Sequence, residues 1–165
     1  MQVIIAEKKY GAGLKATMES AENSGFMLFN PGERKLSVEG VELFIEHIKK
    51  QPHSELFTAI DNQIVAGYLM VRGDDTARTS HRAYLAIGVH EHFRGQGVGK
   101  QLLLKVEEWA KAQNVHRLEL TVLTKNIGAV HLYEKMGFEK EGTKRNSLKI
   151  NDQYEDEFFM SKLIE

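Results

Sequence analysis

The chain has 165 residues, 42% of them hydrophobic and 27% charged, with a formal net charge of −1. That length supports one domain spanning residues 1–165 with its own core, and the near-neutral balance gives no whole-chain pull toward nucleic acid or a membrane surface. There is no cysteine, which excludes disulfides, a thiol nucleophile and thiolate metal sites; with no long apolar run and no signal-peptide pattern, a cytoplasmic location is expected.

In chain order, residues 3–6 read as a first strand and residues 12–23 as a short helix with Leu14 and Met18 on one face. Phe26, Met27, Leu28 and Phe29 make an apolar run closed by the turn signal Asn30-Pro31-Gly32. Ser37 is placed to cap a helix running to about Lys50, with Val41, Phe44, Ile45 and Ile48 facing the core. Residues 55–60 and 64–71 read as strands of a hairpin turned by Asp61, Asn62 and Gln63. A polar loop follows, and residues 81–89 form the next strand. The helix after it carries Val98, Leu102, Val106 and Trp109, flanked by Leu103 and Ala110, as a wide core-facing stripe.

Residues 117–123 alternate Leu118, Leu120 and Val122 against Glu119 and Thr121, a strand with one wetter face. Residues 126–136 form a helix ended by Gly137, and residues 138–143 and 157–163 close the chain as two strands. Strands alternate with helices in the middle, and hairpins lie at both ends. The pattern predicts an α/β (α+β) chain built on one mixed, mostly antiparallel twisted sheet of about six or seven strands, with helices on both faces.

The segment from Leu85 to Gly99 is the most informative, because a β-branched strand end breaks there into a basic, glycine-spaced loop. Helices usually welcome Asp or Glu in their first turn, where the dipole is positive. Here the first acidic residue of the following helix is Glu107, while Arg94, Gly95, Gln96, Gly97, Val98, Gly99 and Lys100 form its start. Exposed backbone N–H groups at a positive helix end, with no competing carboxylate, make a phosphate cradle. A dinucleotide fingerprint fails on spacing, since its third glycine falls on Lys100 or Leu102. A P-loop fails too, with its first glycine on Arg94 and its hydroxyl on Gln101. What fits is Arg-x-x-Gly-x-Gly at Arg94, Gly97 and Gly99, directly after a strand. A turn using glycine only for tightness would leave the acid-free helix start unexplained.

A second constellation follows. Asn126 opens a helix and Tyr133 lies two turns along the same face, while Leu132 and Met136 point into the core. Taken alone, a plain N-cap and a packed tyrosine with a solvated hydroxyl fit as well as a cleft wall. Taken together, the order strand, Arg-x-x-Gly-x-Gly, helix, strand, Asn-x-x-Ala-x-x-Leu-Tyr-x-x-x-Gly-Phe over residues 85–138 resembles the GNAT-type N-acetyltransferases, which hold acetyl-CoA at the first motif.

The resemblance implies that the strands at 81–89 and 117–123 are parallel neighbours that splay apart after a bulge, admitting the pantetheine arm as a false strand. Unpaired N–H and C=O groups at a splayed edge suit an amide-bearing arm, and Gly88 suits a bulge. It implies that the backbone of Ile87, Gly88 and Val89 meets the arm and the acetyl group. It also implies that Arg94 through Lys100 hold the pyrophosphate, that Asn126 bonds the arm, and that Tyr133 is the acid for the departing thiolate. A primary amine would attack the thioester directly in a ternary complex, with a backbone N–H near Gly88 or Val89 on the oxyanion.

The chain departs from the family at the base. Relatives often carry a glutamate on one of the two splayed strands; the matching positions are Ala83 and Thr121, and neither takes a proton near neutral pH. His81 and Glu119, each two residues away on the same faces, are the candidate bases. An exposed histidine at a strand start and a solvated sheet carboxylate are the plain alternatives. His90, Glu91 and His92 look like a metal triplet, but adjacent strand residues point to opposite faces, so no metal is expected. The pairs Lys8-Lys9, Lys49-Lys50 and Lys144-Arg145 read as solvated surface, and neither nucleic acid nor membrane is expected as a partner. Glu33 and Glu39 lie where relatives build the acceptor site and would attract a cationic amine.

The expected function is acetyl transfer from acetyl-CoA to a primary amine, with a small molecule (polyamine, amino acid or aminoglycoside) favoured over a protein amine. A non-catalytic acyl-CoA sensor and an acyltransferase for longer chains, with a gap widened near Leu85 and Ile87, are the competing readings. A homodimer is compatible with the resemblance, with Phe158, Phe159 and Met160 serving either an interface or the core.

Overall fold

A computed structural model describes residues Met1–Glu165. The strands are β1 (Gln2–Ile5), β2 (Glu55–Asp61), β3 (Ile64–Gly73), β4 (Arg82–Val89), β5 (Arg117–Leu123), β6 (Glu139–Ile150) and β7 (Gln153–Leu163), and the helices are α1 (Gly11–Glu22), α2 (Val38–Lys49), α3 (Val98–Ala112) and α4 (Ile127–Lys135). They build one seven-stranded sheet in the order β1-β2-β3-β4-β5-β7-β6. Every neighbouring pair is antiparallel except β4 and β5.

Side-chain alternation along the strands divides the interior into two cores, one on each face. On one face Leu69, Leu85, Leu118 and Leu120 pack against Leu102, Leu103 and Val106 of α3 and Val130 of α4. On the other, Leu56 and Tyr68 pack against Leu14 and Met18 of α1 and Val41, Ile45 and Ile48 of α2. Burying one such leucine removes enough apolar surface to be worth about 1.5–3 kcal/mol. The cap predicted at Ser37 is present, its Oγ accepting the Gly40 N–H at 3.0 Å.

The parallel pair opens as the resemblance implied. β4 and β5 pair only at Arg82–Arg117, Ala83–Leu118 and Tyr84–Glu119. Beyond these, β4 stays bonded to β3 as far as Val89 and β5 to β7 as far as Leu123, so two unpaired edges face each other.

Two expectations need correction. The bulge expected at Gly88 is absent: β4 keeps an unbroken register with β3 through Leu69–Ile87, Tyr68–Gly88 and Gly67–Val89. Glycine is needed there because any Cβ would run into the ring of Tyr68. The apolar run at 26–29 lies in the irregular connection between α1 and α2. The final hairpin runs well past residues 143 and 157, turning at Asn151 and Asp152, both with positive φ. Its outer half is polar and exposed, so backbone pairing rather than burial holds it, and no alternation marks it.

Candidate active site

The loop after β4 passes through a single 3-10 turn at Glu91–Phe93 and enters α3. Gly95 and Gly97 have φ of 74° and 80°, the left-handed region that is costly for any residue with a Cβ. Nothing lies within 4 Å of where a Cβ would stand at either position, and neither N–H donates a backbone hydrogen bond. Gly97 is the N-cap of α3, whose first turn contains no acidic residue. Arg94, Gln96 and Lys100 are exposed beside it, whereas Val98 and Gly99 are buried. Gly99 serves packing, since a Cβ there would stand 2.7 Å from Leu132 Cδ2.

This turn is braced against α1. The Glu91 N–H donates to Ser20 Oγ at 2.9 Å, Arg94 Nη2 donates to the Ser20 carbonyl at 3.3 Å, and Gln96 Nε2 donates to the His92 carbonyl at 2.9 Å. Arg94 is therefore a strut as well as a charge. Fixed amides and a positive helix end fit a diphosphate, and the open β4 and β5 edges offer free backbone groups to an amide-bearing arm.

A cavity of about 500 Å³ lies at the open end of the parallel pair. It brings together Ile87, Asn126 and Tyr133; Gly88, Val89 and the glycine turn lie outside its lining. Asn126 Oδ1 accepts the Ala129 N–H at 3.4 Å, a long cap that leaves room for another donor. Tyr133 is 9% exposed. Burial pushes its phenol well above the ordinary value, and Tyr84 adds to the effect. A phenol so shifted holds its proton more tightly than a thiol, which ordinarily titrates near ~8.5. It is suited to donate a hydrogen bond to sulfur without losing the proton outright.

Several lining residues were missed in the sequence. Tyr84 Oη and Thr121 Oγ1 lie 2.8 Å apart, a hydrogen bond thrown across the gap where strand pairing stops. Glu22, 2% exposed, accepts from Arg34 Nε at 2.6 Å and from Arg34 Nη2 as well. Glu157, 9% exposed, accepts from Ser147 Oγ at 2.6 Å, with Lys144 Nζ 4.0 Å away. Both carboxylates line the cavity, and Phe26, Met27, Leu28 and Phe29 form its apolar wall. The Arg34 guanidinium lies 4.5 Å over the Phe29 ring. Burial pushes the Tyr68 phenol, beneath this wall, up to about 12.

Other expected participants stay outside. His81 is exposed at the zipped end of β4, and its carbonyl accepts the His116 and Arg117 N–H groups at 2.7 and 3.0 Å. It ties the two strands together on the side away from the cavity. Glu119 accepts from Arg117 Nε at 2.8 Å, and Arg117 also holds Glu141. Neither Glu119, Glu33 nor Glu39 is part of the lining. His90 and His92 lie in a turn rather than a strand, with rings 5.0 Å apart; no cluster of three ligating side chains forms around them. Met160 is fully buried, and Phe158 and Phe159 lie under Lys140 and Lys144. No helix is long and apolar enough to cross a membrane.

With this geometry in place, relatives are informative. The model of the acetyltransferase (GNAT) family matches residues 20–138, from the end of α1 through the turn before β6. This chain belongs to that family, a class of acetyl-CoA-dependent acyltransferases. It is 33% identical over 113 residues to the L-amino acid N-acetyltransferase AaaT of Escherichia coli (strain K12), spanning 66% of this chain and 67% of that protein. It is 30% identical over 131 residues to a probable N-acetyltransferase, YjcK, of Bacillus subtilis (strain 168), spanning 76% and 67%. The fold matches an acetyltransferase of the GNAT family from Streptococcus pneumoniae with a TM-score of 0.91 at 30% identity over 99% of both chains. It also matches yncA of Salmonella typhimurium, solved with acetyl-CoA, with a TM-score of 0.89 over 99% and 94% of the two chains; at 16% identity that likeness concerns the fold alone.

Proposed function

We propose that this protein transfers the acetyl group of acetyl-CoA to a primary amine of a small molecule, by direct attack within a ternary complex. The observation that carries this reading is that one cavity is lined both by the open edges of β4 and β5 and by side chains of α1, the 26–34 segment and the last hairpin. Thioester and acceptor therefore share one space, walled on two sides, which suits a compact acceptor better than a long peptide.

In this reading the amides of Gly95–Gly97, with Arg94 and Lys100, hold the diphosphate, and the free edge of β4 with Asn126 bonds the arm. An edge N–H between Leu85 and Val89 stabilises the oxyanion. The ammonium of the acceptor gives one proton to Glu157. Glu22 cannot take that role, because Arg34 already neutralises it. Glu157 faces the acceptor side because β7 sets it opposite Leu123, two residues along β5 from Thr121. The neutral amine adds to the thioester carbon to give the tetrahedral oxyanion, which collapses with cleavage of the C–S bond, and the second proton of the nitrogen passes to the departing sulfur beneath the Tyr133 hydroxyl.

Coenzyme A release with a panel of small amines tests the reading, using wild type and Tyr133→Phe. The wild type should turn over at least one amine, and Tyr133→Phe should lose about 10²-fold or more in kcat, the ordinary scale of general acid help, while still binding acetyl-CoA. Binding of acetyl-CoA with no amine turned over would point instead to a sensor.

A further inference from the structure

The charges inside the cavity run against the expectation of a cationic acceptor. Glu33 and Glu39 lie outside it, and the charged groups that line it are Arg34, Arg72, Lys144, Glu22 and Glu157. Three cations face two carboxylates. Their pairing is uneven: Arg34 is bound to Glu22 by two hydrogen bonds, and Lys144 faces Glu157 at 4.0 Å and the Phe159 ring at 5.4 Å. Arg72, an exposed residue on the cavity lining, is the one of these three without an anionic partner in the chain. It stands opposite Tyr84 on the neighbouring strand, and Tyr84 in turn reaches Thr121 at the root of the gap. An unmatched guanidinium is thus one strand away from the place where the new bond forms.

We infer that Arg72 selects the acceptor, and that the acceptor is a primary amine bearing a carboxylate and an apolar side chain, an amino acid of the leucine or phenylalanine kind. The inference rests on the acetyl-transfer reading of this site and names its substrate class. The planar fork of a guanidinium matches a carboxylate with two parallel hydrogen bonds. Anchored there, the molecule turns its amine toward the gap and Glu157, and its side chain toward Phe26, Met27, Phe29 and Phe44. Such tethering at a fixed distance lowers the entropic cost of attack. A polyamine or aminoglycoside would instead bring positive charge beside the unpaired Arg72, with only Glu157, which already faces Lys144, to receive it.

The test uses protein saturated with free coenzyme A, so that acceptors bind without reacting. Calorimetric titration compares L-phenylalanine with phenethylamine, L-leucine with isopentylamine, and both sets with spermidine, for wild type, Arg72→Gln and Arg72→Lys. A parallel assay with acetyl-CoA follows coenzyme A release. The acids should bind at least tenfold more tightly than their decarboxylated partners in the wild type. Arg72→Gln should remove most of that difference, and Arg72→Lys should restore part of it, with unchanged affinity for acetyl-CoA showing that both variants are folded. Equal binding of acids and plain amines, tighter binding of spermidine, or an equal loss for both partners in Arg72→Gln would overturn the inference. If no amine releases coenzyme A, the acetyl-transfer reading falls, while the binding difference still decides the role of Arg72.

Discussion

The two halves of this site are built on different principles. In the proposed reading the donor half lies within one continuous stretch, from β4 through the glycine turn to α4, and would bind largely through backbone: bare amides at Gly95 and Gly97, free strand edges, and a helix end. The acceptor half, in the same reading, is assembled from α1, the 26–34 segment, β3 and the last hairpin, and would bind through side chains, with Glu22, Arg34, Arg72 and Glu157 supplying the charge. Backbone recognition binds one invariant group and tolerates little change in chain conformation. Side-chain recognition leaves the fold free while substitutions alter what is admitted.

That contrast can be broken by substitution. The largest effect is expected at Glu157→Gln, which should lower kcat/KM for the acceptor by about 10²-fold or more, as removal of a proton acceptor does, with acetyl-CoA affinity intact. Loss of acetyl-CoA binding in this variant would show that the two halves are not separable. Gly97→Val should do the opposite. Forcing a Cβ into a left-handed conformation costs about 1–2 kcal/mol, so acetyl-CoA affinity should fall about tenfold or more while acceptor preference among bound complexes is kept; an unchanged Kd for acetyl-CoA would remove the cradle from the donor half.

A smaller effect tests the junction between the halves. Thr121→Val removes the hydrogen bond between the Thr121 and Tyr84 hydroxyls across the gap, worth about 0.5–1.5 kcal/mol, and should lower Tm by a few degrees on that scale. An unchanged melting curve would mean that the two strands do not need this tie. The most selective effect is alkaline. The buried Tyr68 phenol is pushed up to about 12, whereas in the unfolded chain it ionises near ~10. Its burial therefore contributes stability that is fully present below pH ~10 and is lost as pH rises toward the folded value. Denaturant midpoints should fall more steeply over that window for wild type than for Tyr68→Phe, and parallel curves would contradict the assignment.

Much of the proposed donor half is legible in the sequence alone. The acid-free start of α3, the glycines, and Asn126 and Tyr133 two turns apart each state a local requirement, and the structure keeps the turn open and brings Ile87, Asn126 and Tyr133 to one cavity. The proximity of His81 to Ala83 in sequence was misleading. Strand pairing persists through Tyr84, so the residues before it lie at the closed end. The glycine at 88 was read as a bulge because a strand glycine usually signals one; its cause is a ring on the adjacent strand, which no pattern within β4 records. Arg34, Glu22 and Glu157 were passed over for the same reason. Nothing near residue 22 announces residue 34, and nothing in the polar 144–156 stretch announces that Glu157 turns to the cavity.

What the sequence determined by itself is therefore what depends on neighbours along the chain: the helix starts and stops, the left-handed turn, the order of strands and helices, and with them the class of donor. Only the tertiary structure decided where β4 and β5 part, which carboxylates reach the cavity and which guanidinium there lacks an anion. The physical reason is register. A strand shifted by a single residue would carry every side chain to the other face of the sheet, so the charge of a cavity walled by distant segments exists only once their pairing is set.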